Sequence, residues 1–189
     1  MVLFFQVIII CILLNTNHIL SLMSTHPDYE IERAFIVHQP PADYQHHPWN
    51  EIEQGYYTDP GSGTFTRVRR KGAKYIQTVK KGSGLVRQET ERETTQEEFY
   101  TTWPMTEGWR LEKVRYELPY GTYTIELDIY KGSLHPLITA EVEFESVEAS
   151  RTFTPPSWMG KEVTEDRRYT NAHLAKHGLP DNHPSASDL

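Results

Sequence analysis

From Tyr29 onward, apolar and polar residues alternate with a period of two along most of the chain. This is the pattern of strands, in which successive side chains point to opposite faces. Turn chemistry interrupts the alternation at Asp59-Pro60-Gly61-Ser62-Gly63, Lys71-Gly72, Lys81-Gly82-Ser83-Gly84, Tyr120-Gly121 and Lys131-Gly132. The breaks predict eight strands, at about 29–37, 50–58, 64–70, 73–80, 85–94, 109–119, 121–130 and 137–146. A helix is expected over 95–102, where Thr95-Gln96-Glu97-Glu98 supplies a capped, acidic start. A second should follow Asp166, run to about Lys176 and stop at Gly178-Leu179-Pro180.

The residues that alternate most regularly are charged, Thr78 beside Lys80 being the neutral exception: Glu30 and Glu32; Arg67 and Arg69; Thr78 and Lys80; Arg87, Glu89, Glu91 and Glu93; Lys113 and Arg115; Glu126 and Asp128; Glu141 and Glu143. The opposite faces carry Ile31, Phe35, Val37, Val68, Val79, Val114, Ile125, Leu127, Val142 and Phe144. One such stripe reads as the solvent face of a half-buried sheet. Seven at once suit a mainly β (α+β) fold that closes as an eight-stranded antiparallel barrel, with apolar residues packed outward against a few helices and charged ones lining a tunnel.

The first 27 residues contain no Asp, Glu, Lys or Arg, and Met1 to Leu14 is apolar apart from Gln6. A secretory signal lacks its basic n-region here, and a membrane anchor needs about 20 apolar residues. The reading preferred is translation beginning at Met23, with 1–28 a leader ahead of a domain at 29–178 and a flexible tail at 179–189. Anchor and signal are the alternatives. Cytoplasmic location is expected, with no membrane contact unless residues 1–22 are retained.

Composition narrows the chemistry. Nineteen basic against 26 acidic residues give a net charge of -7, which argues against a nucleic-acid partner. Cys11 is the single cysteine, so internal disulfides and cysteine-built zinc sites are excluded. No Gly-rich phosphate loop, Ser-His-Asp set or nucleophilic cysteine is present. Two carboxylates at i and i+2 lie ~6.6 Å apart and repel by about 2.5 kcal/mol at an effective dielectric near ~20. Enclosed acidic pairs therefore call for protonation or a divalent ion, and oxygen donors favour Mg²⁺ or Mn²⁺. Enclosed arginines and lysines call for an anion, phosphate above all. A metal-bridged polyphosphate satisfies both sets.

In this order, Glu30-Ile31-Glu32, Arg67-Val68-Arg69, Thr78-Val79-Lys80, Arg87 to Glu93, Lys113-Val114-Arg115, Glu126-Leu127-Asp128, Glu141-Val142-Glu143, Gly160 to Thr164 and Arg168-Tyr169-Thr170-Asn171 closely resemble the CYTH, or triphosphate tunnel metalloenzyme, family. The resemblance spans Tyr29 to about Lys176 and is greatest to the compact bacterial inorganic triphosphatase branch. It implies hydrolysis of a small-molecule triphosphate with Mg²⁺ or Mn²⁺; a monomer or homodimer is expected, and the sequence does not choose between them. It places Glu30, Glu32, Asp128, Glu141 and Glu143, with one or more of Glu89, Glu91 and Glu93, on the metal side. It likewise implies that Arg67, Arg69, Lys80, Arg87, Lys113 and Arg115 form the phosphate grip and that the C-terminal helix closes one end of the tunnel. Inorganic tripolyphosphate is the expected substrate; a non-catalytic triphosphate-binding module, a thiamine triphosphatase and an adenylate cyclase are the alternatives.

The chain departs from the family signature Glu-x-Glu-x-Lys at Ala34. Arg33 cannot stand in, because adjacent strand residues face opposite ways. Tyr56 and Lys80 are the candidate catalytic substitutes, with plain strand packing the alternative for Tyr56. His46-His47 reads as a solvated loop, His173 and His177 as a helix face, and the four tryptophans as packing anchors.

Overall fold

The structure is a computed structural model that describes residues 28–58, 65–81, 86–181 and 183. The leader, the turns at 59–64 and 82–85 and most of the tail lie outside the described residues. Eight strands form in the expected places: β1 Asp28–Ile36, β2 Trp49–Thr58, β3 Phe65–Lys71, β4 Lys74–Lys81, β5 Val86–Thr94, β6 Arg110–Tyr120, β7 Tyr123–Tyr130 and β8 Ile138–Glu143. All pairings are antiparallel, in the order β1-β5-β4-β3-β2-β6-β7-β8. β1 meets β8 from Glu32 to Ile36 and β5 from Asp28 to Ile31.

The β1–β5 contact is short, with four register pairs. Further along β1, beyond Ile31, the backbone meets a C-terminal strap. Ile36 N donates to Lys161 O (2.9 Å), Gly160 N to Ile36 O (2.9 Å) and Val163 N to Ala34 O (2.8 Å). Buried backbone groups need such partners, so the strap completes what β5 leaves open. Arg33 locks it: the guanidinium makes two hydrogen bonds to the Glu162 carboxylate (2.9 and 2.7 Å) and donates to Ser150 O and Phe153 O. Arg33 therefore points away from Glu30 and Glu32, as its odd place in the alternation requires.

Among the described residues there are three α-helices: α1 Gln96–Thr102, α2 Val147–Thr152 and α3 Asn171–His177. α1 begins with the expected capping box, Thr95 accepting from Glu98 N and the Glu98 carboxylate accepting from Thr95 N. α2 was not expected. β8 stops at Glu143, and Ser146 turns the chain by accepting from Ala149 N, an N-cap without the Glu or Gln at N3 that would have marked it. The helix expected after Asp166 is divided at Thr170, which caps α3 by accepting from His173 N; Arg167–Tyr169 forms a separate 3₁₀ turn.

The outward faces are apolar. Phe35, Val37, Ile125, Leu127, Val142 and Phe144 pack with Phe153 and Met159 beneath α2 and the strap. Tyr57 and Val68 pack with Phe99 of α1, and Trp103 stacks on Phe99 at 4.9 Å. Trp103, Trp109 and Trp158 thus serve as packing anchors, whereas Trp49 is 56% exposed.

Gly55, in β2, marks the tightest approach. A Cβ there would lie 2.5 Å from Thr106 Oγ1 and 2.6 Å from its Cβ. Thr106 is fully buried and cannot yield, because its hydroxyl donates to Trp103 O and accepts from Arg110 Nε. Gly55→Ala should cost about 1–3 kcal/mol, read as a lower thermal midpoint; an unchanged midpoint would mean that β2 shifts freely away from Thr106.

Candidate active site

Residues opposite one another in an antiparallel pair share a face, so the register assembles the site. Glu32 lies opposite Glu143, Ala34 opposite Glu141, Glu126 opposite Glu141, Asp128 opposite Arg115, Tyr56 opposite Arg67, Gln54 opposite Arg69, and Thr78 opposite Arg67 and Glu91. The charged stripes therefore run together on the face turned away from the apolar clusters. They also meet across strands that are not neighbours, since Arg115 Nη2 of β6 donates to Glu141 Oε2 of β8 at 2.6 Å.

The most buried part is a cation network. Asp128 is fully buried, and both its oxygens are engaged. Arg115 Nε reaches Oδ1 at 2.7 Å, Arg115 Nη2 reaches Oδ2 at 2.6 Å, and the Lys113 ammonium also donates to Oδ2. Glu126 accepts from Arg115 as well. Although burial opposes it, Asp128, Glu126 and Glu141 hold the Arg115 guanidinium well above its ordinary pKa. Burial and the neighbouring Arg115 push Lys113 below its own, against the pull of Asp128 and Glu141. The Lys113 ammonium lies 5.3 Å from the centre of the buried Tyr130 ring.

The second pair of cations stands beside this network. Arg67 donates to Thr78 Oγ1 at 3.0 Å and contacts Glu91 Oε2 at 3.4 Å. Arg69 donates to Gln54 Oε1 at 3.2 Å, and among the described residues it forms no ion pair with a carboxylate. Burial, then repulsion from Arg67 and Arg115, lowers the Arg69 pKa to about 10. Among the described residues this half-buried guanidinium, with two others nearby, is hydrogen-bonded only to a neutral amide.

The carboxylates assigned to the metal side divide. Glu30, Glu32 and Glu143 each bring a carboxylate oxygen within 4.8 Å of the other two. Glu143 is the exposed member of the triplet, yet partial desolvation, then Glu126, Glu30 and Glu32, push its carboxyl up to about 7. A cleft alongside is lined by Glu117, Glu126, Glu143 and Glu145, so this end is the acidic one. Asp128, Glu141 and Glu91 instead engage the cations, and Glu93 is exposed, 3.5 Å from Lys74. For Lys80, Arg87 and Glu89 the backbone places Lys80 opposite Glu89 and Arg87 opposite Glu30.

Tyr56 is fully buried; its ring stacks on Phe65 at 5.5 Å and its hydroxyl accepts from Gln54 Nε2 at 2.7 Å. Trp109 packs on both rings and donates its indole N–H to Ala172 O of α3 at 2.7 Å. The same helix sends Asn171 to the network, where Oδ1 accepts from Lys113 Nζ (3.1 Å) and from the Tyr130 hydroxyl (2.8 Å). Thr78 and Asn171 lie within motifs the sequence marks, but without a role of their own, and Gln54 and Tyr130 lie outside the predicted site residues. All four are uncharged, and strand register or helix docking brings them in; the position of Gln54, two before Tyr56 on the same strand, is the available signal for it.

The antiparallel eight-stranded sheet thus carries Arg67, Arg69, Lys113 and Arg115 on the same face as the carboxylate triplet of Glu30, Glu32 and Glu143. An inorganic triphosphatase from Nitrosomonas europaea is 45% identical over 148 residues, covering 77% of this chain and 96% of that protein. Another, from Acetivibrio thermocellus, is 39% identical over 66 residues, covering 35% and 41%. A crystal structure of an inorganic triphosphatase matches with a TM-score of 0.62 at 39% identity, over 82% of this chain and 99% of that one. No family model matches the chain. The chain belongs to the CYTH, or triphosphate tunnel metalloenzyme, family, in its bacterial triphosphatase branch.

Among the described residues, no helix is long and apolar enough to cross a membrane.

Proposed function

We propose that this protein is a cytoplasmic, divalent-metal-dependent triphosphatase that cleaves inorganic tripolyphosphate to pyrophosphate and phosphate within a closed eight-stranded tunnel. The observation that carries this reading is the separation of charge on one interior face. Arg67, Arg69, Lys113 and Arg115 gather on one side, and the Glu30, Glu32 and Glu143 triplet on the other. The named activity of the relatives supports it. Glu30, Glu32 and Glu143 fit Mg²⁺ or Mn²⁺ in donor type and mutual distance, and such an ion, when bound, neutralises phosphate charge and orients the terminal group.

The chain's own residues supply the rest. Arg69 and Arg67 present guanidinium N–H groups to phosphoryl oxygens. Lys113 and Arg115 are fixed in advance by Asp128, Glu126 and Glu141, so their charge acts without reorganisation as negative charge shifts toward the leaving oxygen. Water attacks the terminal phosphorus in line, the bond to the bridging oxygen breaks, and pyrophosphate leaves.

A second reading, a binding module without turnover, is favoured by Ala34 alone. Phosphate release from tripolyphosphate, thiamine triphosphate and nucleoside triphosphates, with Mg²⁺, Mn²⁺ or chelator, separates the two. Chelator-sensitive release, fastest from tripolyphosphate, is expected; tight binding without release would establish the module.

Glu143 gives a pH test. Its folded pKa lies above its unfolded value of 4.5, so the unfolded state releases this proton first and the metal-free fold loses stability as pH rises from about 4.5 to about 7. A divalent ion held by Glu30, Glu32 and Glu143 would offset that loss by supplying the positive charge that the proton supplies without it. The thermal gain from Mn²⁺ should therefore be larger at pH 8 than at pH 5.5, and small in Glu143→Gln at both. Equal gains in parent and variant would place the metal elsewhere.

A further inference from the structure

The C-terminal helix reaches the cation network through one side chain, and its chemistry matters. Asn171 Oδ1 accepts from two buried groups at once, the Lys113 ammonium at 3.1 Å and the Tyr130 hydroxyl at 2.8 Å. An ammonium has no acceptor capacity, so it must face the amide oxygen, which fixes the orientation of the amide. The remaining hydrogen-bonding partner of Lys113, Asp128, is held by Arg115 at both oxygens. Arg115 has Glu126 and Glu141 besides, whereas among the described residues Asp128 is the one carboxylate paired with Lys113, and Asn171 holds Lys113 without supplying a second. An aspartate would fit the same space and offer a stronger acceptor to both donors; it would also cancel the charge it positioned.

We propose that Asn171 is a positioning residue, a neutral tether that aims the Lys113 ammonium at the bound triphosphate while leaving its positive charge to the substrate. The proposal rests on the triphosphatase reading and adds a role for the C-terminal helix, which positions a phosphate-binding cation through this amide. α3 is seated independently by the bond from Trp109 to Ala172 O and by buried Leu174, which packs with Leu111, Tyr130, Leu134 and Leu137. Changes at position 171 therefore need not undock it.

The test compares Asn171→Asp and Asn171→Ala in the full chain, with inorganic tripolyphosphate as the probe. Affinity is measured by titration calorimetry in chelator, kcat and KM with Mn²⁺, and the thermal midpoint without ligand. The Asn171→Asp variant retains both hydrogen bonds and adds an anion at the first residue of a helix, a favourable place for one, so its midpoint should match or exceed the parent's. Its affinity should nevertheless fall about tenfold, with a rise in KM. Asn171→Ala should fall by a similar factor with a lower midpoint. A merely structural role predicts the reverse ranking, with the aspartate variant retaining parental affinity because it keeps the helix bonded; that result would overturn the proposal. If Asn171→Asp does not fold, parental affinity in Asn171→Ala would overturn it equally. If the parent itself neither binds nor cleaves tripolyphosphate, the triphosphatase reading falls first and the tether with it.

Discussion

Arg69→Met is expected to weaken tripolyphosphate binding about a hundredfold while leaving the metal-free thermal midpoint unchanged or higher. Arg69 is half-buried with Arg67 and Arg115 nearby, and the hydrogen bond it makes goes to the neutral Gln54 amide. Burial and the two neighbouring guanidinium groups lower its pKa to about 10. The sign follows: a base whose folded pKa lies below its unfolded value disfavours the folded state at every pH where it stays charged, which includes pH 7. Methionine fills much of the same volume without the charge, so the empty site loses a repulsion. The loaded site loses a bidentate, charge-assisted contact, and each such hydrogen bond contributes about 1.5–3 kcal/mol. Two at the low end already give roughly a hundredfold, since ~1.4 kcal/mol is a factor of ten. Calorimetric titration and thermal melts on the same two proteins decide it. Parental affinity in the variant would remove Arg69 from the phosphate grip; a large fall in midpoint would show that the guanidinium serves the fold instead.

That separation of stability from binding explains what could be read from the chain. The strands were legible because alternation and turn glycines are local signals: Gly72 and Gly121 adopt positive φ, 57° and 61°, at the turns their sequence context marks. The charged stripes were legible as a shared interior for the same reason. Division of labour among the carboxylates was not, because Glu141 and Glu143 look alike on β8. Glu141 lies opposite Ala34 and Glu126 and engages Arg115, whereas Glu143 lies opposite Glu32 and joins Glu30. One step along the strand changes the partner from a cation to other anions. Neither the strap at Gly160–Val163 nor the seat of Asn171 has a local signature, since both depend on contacts more than 100 residues or several strands distant.

The cation network also shows why a sheet of this kind tolerates so much buried charge. Asp128 alone, surrounded by strands, would be strongly unfavourable, and so would Lys113 or Arg115. Together they satisfy one another with charge-assisted bonds, and Glu126 and Glu141 complete the guanidinium. Arg69, its pKa lowered by desolvation and then by Arg67 and Arg115, and Glu143, its pKa raised by desolvation and then by Glu126, Glu30 and Glu32, stand outside that mutual neutralisation. On the proposed reading, the charges that the fold holds at a cost are the ones that substrate and ion would relieve.

Ala34→Lys should raise the turnover of tripolyphosphate at least tenfold and by as much as about a hundredfold, with a smaller change in KM. Ala34 shares a face with Glu30 and Glu32, lies directly opposite Glu141 and is half-buried, so a side chain there enters the interior beside the carboxylate triplet. The backbone at this position is fixed by the strap, with Val163 N donating to Ala34 O and Ala34 N donating to Thr164 Oγ1. A lysine would therefore emerge from a rigid base. Its neighbours favour the ammonium, because Glu32 and Glu141 flank the position and Arg33 is committed to Glu162 on the other face. The resemblance assigns the family's lysine here to phosphate contact or to activating the attacking water, and a positioned proton-transfer group contributes typically ~10²- to 10⁴-fold. If the protein is a hydrolase weakened by the loss of that group, restoring it raises kcat. If water activation has been rebuilt around Tyr56 or Lys80, the new ammonium competes with an arrangement that already works, and the rate stays level or falls. Steady-state kinetics with Mn²⁺ on parent and variant distinguish these outcomes. Brisk parental turnover with no gain in the lysine variant would reject the weakened-hydrolase account and place catalysis on residues outside the signature. Tight binding with no turnover in either protein would make the interior a receptor for triphosphate.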